Sequence, residues 1–163
     1  MEPDAVITIR PATAADQRLI VELVRSARLN PLRLGWVNFL VAEKIEGLGL
    51  RVVGIGQLRP HQDGILELAS LVVVPEARGY GVGGQVVKAL IAKADRPLYL
   101  MCDDGKRGYY ERFDFYEVRN VAEIPRSLRG LKRIANVVEG ILALFMKKPP
   151  HLAIMAYGGL PPS

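Results

Sequence analysis

The sequence predicts a mixed α+β domain, one central sheet of about six to seven strands flanked by helices. Three observations carry this. Short apolar or alternating runs recur between Gly- and Pro-containing turns. Other segments repeat apolar residues at helical spacing instead. Near the middle, a strand-like run passes through a glycine-rich turn into one of those helical segments. At 163 residues, 50% hydrophobic and 24% charged, the chain can bury about 70% of its unfolded surface in one core.

In chain order, residues 5–10 (AVITIR) alternate and stop at Pro11, a first strand. Thr13 with Asp16 three residues on resembles a capping box, and Leu19, Ile20, Leu23, Val24 and Ala27 share a helical face that Asn30-Pro31 ends. Residues 36–43, 50–57 and 65–74 form three β-rich runs joined by turns, an antiparallel meander whose third and most apolar strand is central. Residues 82–94 place Val86, Val87, Leu90 and Ile91 on one helical face, and 97–102 follow as a buried strand. That order implies a parallel pair with a right-handed crossover. Residues 106–113 read as a short helix, 115–119 as a short strand, 125–145 as a basic amphipathic helix and 152–157 as the last strand. With no internal repeat and no long linker, 1–163 reads as one domain carrying a helical insertion at about 121–150.

Composition removes several classes. Cys102 is the only cysteine, so neither an internal disulfide nor a Cys/His metal cluster is expected and no metal is assigned. Apolar stretches are broken well short of the roughly 18 residues a membrane helix needs, and Met1-Glu2-Pro3-Asp4 does not read as a signal peptide; a cytoplasmic protein that does not engage a membrane is expected. The net charge of +5 is compatible with nucleic acid, but the aromatic residues are not interleaved with a basic run. A multiply phosphorylated small molecule fits equally well, and net charge alone does not choose; the scattered Lys and Arg residues and the lack of a recognised motif weigh against nucleic acid.

The segment from Val73 to Gly84 (VVPEARGYGVGG) runs from a hydrophobic strand through a Gly-rich turn into a helix. Closely spaced glycines let several backbone N–H groups face one phosphate, and the helix N-terminus adds about half a positive charge. Arg78 can add a charge-assisted contact. Gly79, Gly81 and Gly84, with Asp103 about 20 residues later, also satisfy the dinucleotide fingerprint, so a small NAD-binding protein is one alternative. Against it, Pro75 to Arg78 separate strand from first glycine, and four predicted strands precede the loop. No Lys-Ser/Thr pair follows the glycines, which excludes a P-loop.

Here the chain resembles the GNAT superfamily of acyl-CoA-dependent N-acyltransferases, whose signature is Arg/Gln-x-x-Gly-x-Gly/Ala opening a helix after a long strand. Arg78, Gly81 and Gly83 match it, and Tyr110-Glu111-Arg112-Phe113-Asp114-Phe115 is similar to the family's Tyr-x-x-x-Gly-Phe element, with Asp114 in place of glycine. The resemblance implies acetyl-CoA as co-substrate. Its pyrophosphate would lie on the N–H groups of Gly79, Tyr80, Gly81, Val82, Gly83 and Gly84 beside Arg78, and its pantetheine arm would pair with Leu71, Val72 and Val73. It also implies an amine-bearing acceptor, with Tyr110 serving the departing thiolate.

Acyl transfer to an amine needs a neutral nucleophile, and a lysine amine near pKa 10.4 is neutral about once in 2,500 molecules at pH 7, against roughly one in seven for an α-amino group. A base is therefore expected. Glu67, the only carboxylate inside the 65–74 run, reads either as that base, acting through one or more waters, or as an outward-facing strand carboxylate, and His61 just before the run is the alternative base. A phenol near pKa 10 transfers its proton to a thiolate near 8.5 uphill by about 2 kcal/mol, so a transition-state hydrogen bond suits Tyr110 better than full transfer. Cys102, ending a buried strand, reads as a core thiol. The basic insertion could select an acidic acceptor through Arg126 and Arg129, pack a homodimer interface, or merely extend the core. A non-catalytic acyl-CoA-binding module is the second class of function the sequence allows.

Overall fold

The computed structural model describes residues 6–131, 133 and 151–158. In chain order come β1 (Ile7–Pro11), α1 (Gln17–Ser26), β2 (Phe39–Glu46), β3 (Gly49–Pro60), β4 (Leu66–Val73), α2 (Val82–Lys93), β5 (Leu98–Asp103), α3 (Arg107–Glu111), β6 (Phe115–Glu117) and β7 (Leu152–Tyr157). The seven strands form a mixed sheet of order β1-β2-β3-β4-β5-β7-β6, in line with the α+β expectation. No helix among the described residues is long and apolar enough to cross a membrane. The backbone packs as two compact units.

In the first unit, residues up to Arg59 join Leu68–Ala94. Strand β1 runs antiparallel to β2, and β2 to β3 with a register shift between Ala42 and Glu43. Ile20 and Val24 of α1 meet Phe39, Val41, Ile55 and Val72 in one core, at the positions their helical and strand periods require. Helix α2 sits directly on β3. A Cβ added at Gly56 would come within 2.9 Å of both Leu90 Cδ1 and Val86 Cγ1, and one at Gly54 within 3.0 Å of Val82 Cγ1. The two strand glycines are therefore the seat of α2, and they fix where its N-terminus lies.

The stretch 36–38 departs from the predicted strand and forms a 3-10 turn. Gln17 explains the difference: its amide donates to the Leu34 carbonyl (2.8 Å) and accepts from the Trp36 N–H (3.0 Å). A side chain thus satisfies backbone groups that a strand ladder would otherwise serve.

The predicted Thr13–Asp16 capping box is present, with Asp16 accepting from the Thr13 N–H at 2.7 Å. Arg10 bonds both oxygens of Asp16 (2.9 and 3.1 Å) and also Glu43 (2.6 Å). The Arg10 guanidinium, outweighing burial, holds the Asp16 carboxyl down at about 2. A folded pKa below the unfolded one gives stability that is present above about pH 4 and lost as pH falls through the folded value. Chemical denaturation between pH 5 and pH 2 should therefore show on the order of 2 kcal/mol from this group disappearing. Asp16→Asn should flatten that part of the pH profile.

In the second unit, Pro60–Glu67 joins the chain from Asp95 onward. Strand β7 pairs antiparallel with β5 on one side and with β6 on the other. The first residue of β4 is tied in here too, the Leu66 N–H donating to the Pro97 carbonyl at 2.9 Å. Ile65, Val118, Ile124, Leu128, Ile154 and Ala156 form the core of this unit. The leading part of the predicted insertion supplies Ile124 and Leu128, both almost fully buried. It is a 3-10 turn (Val121–Glu123) and then a helix from residue 126, while residues 134–145 of the predicted helix lie outside the described residues. Pro125 opens this helix by accepting from the Leu128 and Arg129 N–H groups, but its side chain cannot cap it. Asp63 does so from 64 residues away, accepting from Ser127 N (3.0 Å) and Oγ (2.9 Å). Arg129 donates to the Ile124 and Ala122 carbonyls, so its guanidinium braces the turn before the helix.

Candidate functional site

The glycine-rich segment turns as its sequence requires. After a 3-10 turn at Pro75–Ala77, Gly79 has φ +83° and Gly81 φ +78°, and Gly81 is the N-cap of α2. Both lie in the left-handed region that side chains disfavour, and a Cβ at either would meet nothing within 4 Å. The glycines are thus needed for backbone conformation and leave open space beside the backbone. No side chain caps the N-terminus of α2, so the N–H groups of its first turn keep the positive end of the helix dipole available to an anion. Val82 is buried and anchors the turn, whereas Tyr80 is exposed. Arg78 donates through Nε to the Val73 carbonyl at 3.1 Å, which braces the guanidinium beside the end of β4.

Strand β4 carries Leu71, Val72 and Val73. Val72 packs into the core and the Val74 N–H donates to the Val53 carbonyl at 3.0 Å. The side chain of Val72 is therefore explained by burial, and any role for this stretch in holding a ligand belongs to its backbone. One residue earlier, Ser70 has φ +52°, a left-handed residue inside a strand. Its hydroxyl bonds the amide of fully buried Gln57 at 2.9 Å; the Gln57 oxygen also accepts from Arg59 Nη2 (3.1 Å), and its nitrogen donates to the carbonyl of Arg33 (3.2 Å), itself at φ +58°. One buried amide thus ties down two strained backbone positions. Sequence reasoning missed this network; its only signal is a serine interrupting the apolar run 68–73.

The two candidate bases meet. His61 to Gly64 form a tight hairpin turn, with the His61 N–H on the Ile65 carbonyl (3.0 Å), the Gly64 N–H on the His61 carbonyl (3.2 Å) and Gly64 at φ +81°. This turn brings His61 Nε2 to 2.7 Å from Glu67 Oε2, with only 7% and 4% of the two side chains exposed. Glu67 is therefore no outward-facing strand carboxylate. Asp63, on the same turn, is held below the usual carboxylate range because its bonds to Ser127 outweigh its burial.

Tyr110 lies on α3, 9% exposed, in edge-to-face contact with Tyr109 (5.1 Å) and Phe115 (6.2 Å). Burial, reinforced by Cys102 and Tyr109, raises its pKa and keeps the phenol protonated. Asp114 adopts φ +63°, so the substitution for glycine preserves the left-handed turn; its carbonyl accepts from Gly158 N at 2.8 Å. Cys102 is buried, its thiol pushed up to about 11, and its sulfur contacts Met155 Sδ at 3.8 Å. A thiol so desolvated is no nucleophile. Asp103, the ribose ligand of the dinucleotide alternative, instead caps its own turn through Gly105 N at 3.0 Å.

The model of the acetyltransferase (GNAT) domain family matches residues 35–117, just over half of the chain. No curated protein matches it. Among solved structures, the chain is similar to Rv2747 of Mycobacterium tuberculosis, solved with CoA (TM-score 0.69, 19% identity, 94% of this chain and 99% of that one). It is similar also to N-acetylglutamate synthase of Neisseria gonorrhoeae, solved with coenzyme A and L-arginine (TM-score 0.67, 19% identity, 96% of this chain). This chain spans 34% of that synthase. A third likeness is to the ribosomal-protein-S18-alanine N-acetyltransferase of Escherichia coli (TM-score 0.61, 14% identity, 93% of each chain).

Proposed function

This chain belongs to the GNAT acetyltransferase family, and on that premise we propose that it moves the acetyl group of acetyl-CoA onto a primary amine by direct attack in a ternary complex. The observation that carries the reading is the uncapped N-terminus of α2, opened by two left-handed glycines and braced by Arg78. Its N–H groups receive the pyrophosphate of CoA, from Gly79 through Gly84. The pantetheine amides pair with backbone groups of Leu71 to Val73 at the end of β4, next to the glycine turn. When bound, acetyl-CoA supplies the thioester.

The hairpin of His61 and Glu67 provides the base that frees the amine lone pair, and Tyr110 supplies a hydrogen bond to the departing thiolate. A buried phenol held in its protonated form suits that second role. The lone buried thiol suits a reducing compartment, and we place the protein in the cytoplasm.

The experiment is thermal stabilisation by acetyl-CoA, CoA and NAD side by side. A ligand that binds only the folded state at 100 times its Kd adds about 2.7 kcal/mol. Both CoA species should raise Tm by several degrees and NAD should not; a shift with NAD alone would overturn the assignment.

A further inference from the structure

We infer that His61 is the group that takes the acceptor's proton, and that Glu67 acts through it by fixing its tautomer. This rests on the acetyl-transfer reading and deepens it. A carboxylate that accepts at 2.7 Å puts a ring proton on Nε2, and in the neutral imidazole the lone pair is then on Nδ1. Among the described residues, Glu67 is the only hydrogen-bonding partner of the His61 side chain. Asp63, the other carboxylate beside the ring, has both oxygens committed to Ser127. Glu67 is the more buried of the pair and spends Oε2 on the imidazole. The arrangement is that of a base oriented by a carboxylate on its opposite nitrogen.

The hairpin fixes the ring from its other end. Pro60 precedes His61 and the His61 N–H is held by Ile65, so the backbone as well as the carboxylate sets the imidazole's direction. Beyond it, the Asp63 cap on the helix at 126 ties the turn to a buried core through Ile124 and Leu128.

The protons balance as follows. An acceptor ammonium gives one proton to Nδ1, forming an imidazolium whose Nε2–H stays on Glu67. The freed amine lone pair attacks the thioester carbonyl carbon, the C–S bond breaks, and the second amine proton leaves with the CoA thiol. The imidazolium returns its proton to solvent, one per turnover.

The test begins without an acceptor. In the native protein with ¹⁵N-labelled histidine, His61 and His151 are the only imidazoles. His61 should show a single tautomer protonated at Nε2 with Nδ1 bare, and Glu67→Gln should convert it to a mixture. The kinetic arm measures thiol release from acetyl-CoA with L-glutamate, a peptide beginning with alanine and a lysine-containing peptide as acceptors. His61→Gly should lower kcat about 100-fold with the KM for acetyl-CoA unchanged, and added imidazole should restore part of it. His61→Gln, which can still bond Glu67, should fold as the native protein does and be equally slow. A ring protonated at Nδ1 or on both nitrogens at the assay pH, or a His61→Gln variant with native kcat, would overturn the inference. Loss of acetyl-CoA stabilisation in the native protein would instead strike the acetyltransferase reading, while the tautomer result would still stand.

Discussion

Gly81→Val should abolish stabilisation by acetyl-CoA while leaving the protein folded. Gly81 holds φ +78° at the N-cap of α2, and a β-branched residue at that φ costs more than the roughly 1–2 kcal/mol of an ordinary left-handed side chain. The loop must shift to relieve this, and the added methyls fill the open space beside the backbone where a phosphate would approach. Affinity for acetyl-CoA, measured by calorimetry, should fall at least 100-fold, about 2.7 kcal/mol. The apo Tm should fall by only a few degrees, because the core contacts of Val82 and Val86 are untouched. An unchanged Kd would show that this loop does not hold the cofactor.

Tyr110→Phe should lower kcat by about 10- to 100-fold, with the KM for acetyl-CoA within twofold of native. The expectation follows from where the residue sits. Its ring packs against Tyr109 and Phe115, contacts that phenylalanine retains, so only the hydroxyl is removed. Stability should therefore hold. A buried phenol kept protonated can donate to a thiolate only as charge develops on sulfur, which places the effect in kcat rather than in binding. Turnover at the native rate would assign Tyr110 to packing.

The fold was largely legible because its signals are local. The helical spacing of Ile20 and Val24, the alternation of residues 5–10 and the glycine turn before Val82 each report a period or a φ requirement carried by adjacent residues. Asp114 is another such case, its left-handed φ being readable from the glycine it replaces. Residues 36–38 failed this test because Gln17, a distant side chain, satisfies their backbone. The site was legible only in part. Glu67 and His61 stood out as residue types, but read as rivals. The Asp63-Gly64 turn was the available clue that a hairpin folds one onto the other. The Asp63 cap on Ser127 spans 64 residues and the Ser70–Gln57 bond 13, so no local pattern announces either.

The most direct measurement is thiol release from acetyl-CoA by the native protein across the three amines, with mass spectrometry of each acceptor. The account predicts thiol release that depends on one of the amines and yields that amine in acetylated form. A protein that acetyl-CoA stabilises but that releases no thiol with any amine would contradict the transferase reading and leave a CoA-binding module in its place.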